Sequence, residues 1–346
     1  MTLGIALVGA GRQGAAHLAA VGRARRATLR AVCDVAPGAA AHLAPAGVAA
    51  DTALARTLAR ADVAAVVVAA STNRHGEIVR AALEAGRHVL CEKPLTLDPA
   101  TDASLAALAT NRGLVLHVGF TRRHGWPYRE ALRLLRAGAI GAPTLVRCAQ
   151  WDAAPPSPAF LDPAVSGGIE IDCGIHEVDT AAWLLGSRIA RVAAIASPTR
   201  PEIAAAGDVE GLAGLAATDA GHAVTIDLQR SCAYADIVRT DIAGDEGALH
   251  VRFDGPGSLE VGTAAGLRAI RRPPGAVDAV VEDALAAQID ALAAAVAGEP
   301  VAAADAADST RALVAARGLA AARRSGAWIV IAGIGSGAGT AAAAAG

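Results

Sequence analysis

A strand running straight into three glycines constrains this chain more than any other feature. Ile5 to Val8 is a short apolar run, Gly9-x-Gly11-x-x-Gly14 follows without a gap, and an Ala-rich helical pattern comes next. A dinucleotide pyrophosphate needs that strand, tight turn and helix start. Gly9 lets the turn close, Gly11 lets the backbone approach phosphates, and Gly14 lets the helix pack close to the strand. The helix then aims its free N–H groups and positive dipole end at the ligand. Twenty residues after Gly14, the strand-like segment Leu29–Cys33 ends in Asp34. A carboxylate there accepts hydrogen bonds from an adenosine ribose and repels a 2′-phosphate, which favours NAD over NADP. The competing reading is a Gly-rich turn that binds nothing. Strand, glycines, helix and acid together count against it.

Apolar strand candidates at Gly4–Val8, Leu29–Cys33, Ala64–Ala69, His88–Cys91 and Leu114–Val118 alternate with helical patterns near 12–24, 37–46, 52–60, 75–85 and 98–111. Such alternation predicts an N-terminal Rossmann-type, doubly wound parallel sheet over residues 1–120. The pattern then changes. A helix is expected at 129–137, a strand at 143–151, a helix from Ile169 to Leu185 stopped by Gly186, and strands at 189–196, 210–217, 223–229, 237–243 and 248–253. Strands following strands predict an α+β domain over 121–332 with a large open, mostly antiparallel sheet, closed by helices at 279–297 and 305–324. The Gly/Ala-rich tail 333–346 reads as disordered.

Composition narrows the function classes. The 346 residues carry a formal net charge of −2, which points to neither nucleic acid nor an anionic membrane surface. The longest apolar run, Val63 to Ala70, is too short to span a bilayer. The five cysteines form no C-x-x-C pair, so they read as reduced, metal-free thiols of a cytoplasmic protein. Five of the nine aromatics (Phe120, Trp126, Tyr128, Trp151, Phe160) fall within about forty residues, as a cleft wall, a domain junction or ordinary core packing would require.

Four segments carry candidate chemistry. Glu92-Lys93-Pro94 sits at the carboxyl end of the His88–Cys91 strand, the edge where ligands lie in doubly wound sheets. A lysine there can polarise or protonate a substrate oxygen; a solvated turn stopped by proline is the alternative. Ser166-Gly-Gly-Ile-Glu-Ile-Asp172 leads to His176 and Asp179, and in one continuous helix these three would share a face. A histidine held beside a carboxylate can act as general base toward a hydroxyl. A surface hydrogen bond or a metal site are the alternatives, and no third metal ligand stands out. Ser71, Thr72, Asn73 and His75 follow the Ala64–Ala69 strand, where they either meet a cofactor or cap a helix. Arg122 and Arg123 follow the Leu114–Val118 strand and place two guanidiniums near the cleft or in solvent.

In this order, Gly9-Ala-Gly-Arg-Gln-Gly14, Glu92-Lys93-Pro94, Gly119-Phe-Thr-Arg-Arg123 and Gly-Gly-x₃-Asp172-x₃-His176 resemble the glucose–fructose oxidoreductase/inositol dehydrogenase/rhizopine catabolism (Gfo/Idh/MocA) family. The Arg-Arg and His-Glu-Val-Asp179 segments look most like inositol 2-dehydrogenases, although the tyrosine-rich segment of that group is reduced here to Ala233-Tyr234-Ala235-Asp236. The resemblance implies NAD(P)-dependent oxidation of a sugar or cyclic polyol, with Lys93, Asp172 and His176 matching the catalytic residues. Cofactor contacts are expected from Gly9, Gly11, Arg12, Gln13, Gly14, Asp34, Ser71, Thr72, Asn73, His75, Glu92, Lys93 and Arg122. Substrate contacts are expected from Lys93, Arg123, Trp151, Asp172, His176 and Tyr234. No metal is expected, and the open sheet implies a homodimer or homotetramer. A non-catalytic NAD(P)-binding sensor on the same scaffold is the alternative function, but it has no need of proton-transfer groups.

Overall fold

The computed structural model describes residues 2–274 and 279–332, so the reading of the tail at 333–346 lies outside the described residues. Its first sheet is built from β1 (Leu3–Val8), β2 (Ala27–Cys33), β3 (Ala49–Asp51), β4 (Ala65–Val68), β5 (His88–Glu92) and β6 (Leu116–Gly119). All pairings are parallel, in the order β3-β2-β1-β4-β5-β6. Helices α1 (Arg12–Val21), α2 (Ala39–Leu43), α3 (Leu54–Leu58), α4 (His75–Glu84) and α5 (Pro99–Asn111) connect the strands. Because the sheet is sandwiched between helices, β4 is buried on both faces and reads as an unbroken run, Ala-Val-Val-Val. The order reverses between β1 and β4, which opens the crevice where doubly wound sheets bind ligands. The expected architecture is therefore present. β3 was not expected, because three residues are too few to show a period.

The second sheet has nine strands. After α6 (Trp126–Arg136) come β7 (Pro143–Trp151), α7 (Pro158–Leu161), α8 (Pro163–Ser166), α9 (Ile169–Asp172), α10 (Gly174–Leu185), β8 (Ile189–Ala196), α11 (Pro201–Ala205) and β9 (Gly211–Thr218). Then follow β10 (Ala223–Gln229), β11 (Ile237–Gly244), β12 (Gly247–Arg252), β13 (Ser258–Thr263), β14 (Gly266–Ala269), α12 (Val280–Val296), α13 (Ala306–Ser325) and β15 (Ile329–Val330). The order is β14-β13-β12-β11-β7-β10-β9-β8-β15, antiparallel except for β7 with β10. Helices α9, α10 and α13 pack on one face. Val146, Cys148, Val224, Ile226, Leu228, Leu212 and Ala216 point into that core. The opposite face is open, with Ile195 and Leu215 exposed on it. β13, β14 and β15 were not expected: β14 is exposed throughout and β15 has only two residues, so neither carries a burial pattern.

Two boundaries differ from the sequence reading. The helix expected from Ile169 to Leu185 is interrupted at Cys173. Helix α12, placed by sequence in the second domain, instead packs against the first sheet. Its Leu285, Ile289 and Leu292 share a core with Ile5, Leu7, Ala20 and Val32. Asp290 fixes it further by accepting the Arg26 backbone N–H at 2.8 Å, and Arg23 donates to Asp283 at 2.7 Å. No helix among the described residues is long and apolar enough to cross a membrane.

Candidate active site

The glycine loop follows β1 into the crevice. Gly9 has φ +105°, a left-handed conformation reserved for glycine, and a Cβ there would come within 2.5 Å of the Ala69 carbonyl oxygen. Gly14 lies so close to the strand that a Cβ would meet the Gly9 carbonyl at 2.1 Å. A Cβ at Gly11 would meet nothing within 4 Å and would project into open space at the start of α1. That open cradle beside the unpaired N–H groups of a ten-residue helix fits a dinucleotide pyrophosphate. Asp34, just past β2, braces the loop: Oδ2 accepts the Ala10 N–H at 2.7 Å and Oδ1 accepts the Ala36 N–H at 2.8 Å. Arg12, Gln13, Ser71 and Asn73 are exposed around the same crevice, and Thr72 is buried.

The turn after β5 carries Lys93, and the Lys93–Pro94 peptide bond is cis. Neighbouring elements clamp this turn. Leu95 N–H donates to Ser309 Oγ at 2.9 Å, and the Thr96 hydroxyl donates to Asp102 Oδ1 at 2.6 Å. The Thr310 hydroxyl donates to the other oxygen of Asp102 at 3.1 Å. Burial pushes the Asp102 carboxyl up to about 6, and these hydroxyl donors only partly offset it. The folded state thus prefers the protonated acid. Its stabilising contribution is complete below pH 4 and is lost as pH rises through 6. Asp102→Asn is therefore expected to stabilise the protein by about 2 kcal/mol at pH 8 and to leave it unchanged near pH 4. Urea unfolding at both values tests this, and equal stabilities of the two proteins at pH 8 would contradict it.

Lys93 reaches across the cleft to the break between α9 and α10. There His176 N–H bonds back to the Cys173 carbonyl at 3.1 Å, which leaves the Asp172 carbonyl without its helical partner. Lys93 Nζ donates to that carbonyl at 2.7 Å and to Asp172 Oδ1 at 3.2 Å. Asp172 Oδ2 accepts from Arg230 Nη1 at 2.6 Å. Burial alone would raise the Asp172 carboxyl, but the Lys93 and Arg230 cations outweigh it and hold it down at about 2. Arg230 is fully buried and is gripped in turn by Asp208 at 2.6 and 3.0 Å. The expected Asp172–His176 pairing is thus corrected: the helix break turns the carboxylate toward Lys93.

His176 makes no side-chain hydrogen bond among the described residues, and its ring meets Phe120 edge-on at 6.3 Å. Burial, with the Lys93 and Arg122 cations nearby, keeps its pKa well below the ordinary imidazole range. Its ring thus favours the neutral form, and neither ring nitrogen has a hydrogen-bond partner among the described residues. Asp152, unremarked in the sequence, joins the cleft beside Asp172. Burial raises its carboxyl, and it accepts from Gln150 Nε2 at 3.0 Å.

Several expected contacts lie elsewhere. Arg122 is buried and spends its donors on Glu177 (2.7 Å) and Gln150 (2.9 Å), so it is a strut beneath α10 instead of a cofactor ligand. Arg123 bonds Asp179 (3.0 Å) and Asp308 (2.9 Å) and stacks near Phe120 and Trp183. This also removes Asp179 from the His176 face. His75 is buried, with its ring nitrogens against the carbonyls of Pro94 (2.8 Å) and Ala70 (3.1 Å). Trp151 shares its strand parity with Arg147 and lies on the open face of the second sheet. Tyr234 is 78% exposed on the loop after β10. Phe120 and Tyr128 are core residues. No local sequence signal marks Arg230 or Asp208, because a lone arginine at a strand end usually sits in solvent.

Residues 3–120 match the oxidoreductase family with an NAD-binding Rossmann fold, and residues 128–250 match the GFO/IDH/MocA C-terminal domain. The inositol 2-dehydrogenase of Rhizobium meliloti is 31% identical over 275 residues, covering 79% of this chain and 82% of that protein. Inositol 2-dehydrogenase 4 of Saccharopolyspora erythraea is 35% identical over 73% of this chain and 74% of its own. Among solved structures, scyllo-inositol dehydrogenase from Lactobacillus casei with bound NAD(H) and scyllo-inositol superposes with a TM-score of 0.80. It has 27% identity and covers 96% of this chain and 99% of that one. With family models matched in both lobes and a relative 31% identical over more than two thirds of each chain, the chain belongs to the Gfo/Idh/MocA family of oxidoreductases.

Proposed function

We propose that the protein is an NAD-dependent dehydrogenase acting on a secondary alcohol of an inositol-type cyclic polyol or related sugar. The observation that carries this reading is a hydrogen-bonded ammonium, Lys93, facing an unpaired neutral imidazole, His176, at the crevice edge of the first sheet. The names of the relatives supply the substrate class.

Gly9, Gly11, Gly14 and Asp34 would hold the dinucleotide, which when bound supplies a hydride acceptor for the alcohol carbon. The chain's own residues handle the proton. His176 takes it from the substrate hydroxyl. Lys93 commits two of its three N–H donors to Asp172 and turns the third to the same oxygen as it becomes a carbonyl. Asp172, kept ionised by Arg230, fixes the ammonium in that pose. The carboxylate of Asp152 and the amide of Gln150 are further groups able to bind hydroxyls of a polyol. Following NADH absorbance with myo-inositol, scyllo-inositol and a set of aldoses tests the proposal; binding of NAD without turnover on any of them would favour a sensor instead.

Asp34 sets the preference for NAD. Asp34→Ala also unties the Ala10 and Ala36 N–H groups, so kcat/KM with NAD is expected to drop by about tenfold or more while the NADP/NAD ratio rises. A ratio equal to wild type removes Asp34 from that role. The open face around Trp151, Ile195, Ala213 and Asp227 is where a second copy packs, giving a homodimer or homotetramer. A monomeric mass by light scattering removes that part of the reading.

A further inference from the structure

His17 lies three residues beyond Gly14, on the buried side of α1, with 1% of its surface exposed. Its Nε2 is 2.7 Å from Glu92 Oε1, and its Nδ1 is buried with no partner among the described residues. An imidazole buried with one nitrogen unsatisfied costs free energy that an apolar side chain of similar size would not. Among the described residues, the Glu92 contact is thus the polar interaction that accounts for a histidine at this place. Glu92 is itself buried at the end of β5, and its other oxygen accepts the Lys93 backbone N–H at 3.3 Å. It has little room to move: a Cβ on Gly119 would stand 3.1 Å from Oε2. Burial alone would raise its carboxyl, yet the His17 hydrogen bond and the Lys93 cation hold it below the ordinary range. A single carboxylate therefore ties the helix that opens the dinucleotide cradle to the turn that carries the ammonium.

We infer that His17 is a positioning residue, which through Glu92 keeps Lys93 in register with the N-terminus of α1. The inference rests on the proposal that Lys93 acts on the substrate oxygen. Cofactor affinity is assigned to the glycine loop and Asp34, to which the His17 side chain makes no hydrogen bond among the described residues, whereas the reach of Lys93 toward a substrate depends on where the β5 turn sits. Loss of the link should therefore appear in turnover and not in NAD binding.

The test uses the full chain as His17→Leu, His17→Asn, His17→Gln and, in parallel, Lys93→Met. Rates of NADH formation are measured with myo-inositol and scyllo-inositol, and NAD affinity by fluorescence titration. His17→Leu and His17→Asn are expected to lower kcat by about tenfold or more, since small misplacements of a reacting group have effects of that order. The Kd for NAD should stay within about threefold in both. His17→Gln, whose amide can still donate to Glu92, should recover most of the rate. Asparagine is too short to reach Glu92, so it serves if the leucine protein does not fold. A folded His17→Leu or His17→Asn with kcat near wild type, beside an inactive Lys93→Met, overturns the inference alone. The same holds for a glutamine variant as slow as the leucine one, or for parallel losses of kcat and NAD affinity. Full turnover in Lys93→Met overturns the reading of the site itself.

Discussion

His176→Ala is expected to turn over about 10²–10⁴-fold more slowly than wild type with NAD affinity little changed, because it removes the proposed base, an imidazole without a hydrogen-bond partner among the described residues. A pH signature should accompany the loss. Burial and the cations of Lys93 and Arg122 favour the neutral ring, so the proton leaves His176 at a lower pH than from an ordinary imidazole. The acid limb of the wild-type kcat profile should accordingly lie below pH 6.5, with a plateau through neutrality. An acid limb at or above that value, or an alanine variant with wild-type turnover, would move the base elsewhere.

Arg230→Met is expected to be the most damaging of the substitutions to stability. The guanidinium is fully buried between Asp172 and Asp208, which accept from it at 2.6 Å each. Replacing it removes the cation that the two carboxylates share and leaves Asp172 with Lys93 alone as its cationic partner. Breaking a buried pair from one side typically costs about 3–5 kcal/mol, because the remaining charge is stranded in low dielectric. Denaturant unfolding near neutral pH reads this directly, and the loss should shrink in acid as the Asp172 carboxyl, held low by its cations, takes up a proton. A variant within about 1 kcal/mol of wild type would show that the cleft admits enough water to solvate both acids.

The cradle was legible in the sequence because each glycine answers a separate local demand, and these demands follow one another along a single strand, turn and helix. Lys93 was legible for a similar reason, since a strand end in a parallel sheet has a known side. Asp172 and His176 both lie at the helix break facing Lys93, but they are not joined as their spacing suggested. Four-residue spacing implies a shared helical face only if the helix is continuous, and the ladder lapses at Cys173. Arg122, Arg123 and His75 misled because arginines and a histidine near a crevice edge look available. Their carboxylate or carbonyl partners come from α10, α13 and the β5 turn, distant in sequence. Trp151 illustrates parity: one position along β7 separates the cleft side, where Gln150 works, from the open face.

The return of α12 to the first lobe makes the two halves inseparable. A fragment cut after β6 would leave bare the greasy stripe that Leu285, Ile289 and Leu292 cover, and it should clump unless that helix is supplied. Swapping lobes between relatives to mix cofactor and substrate preferences therefore means moving three pieces of chain, with the late helix travelling alongside the early strands.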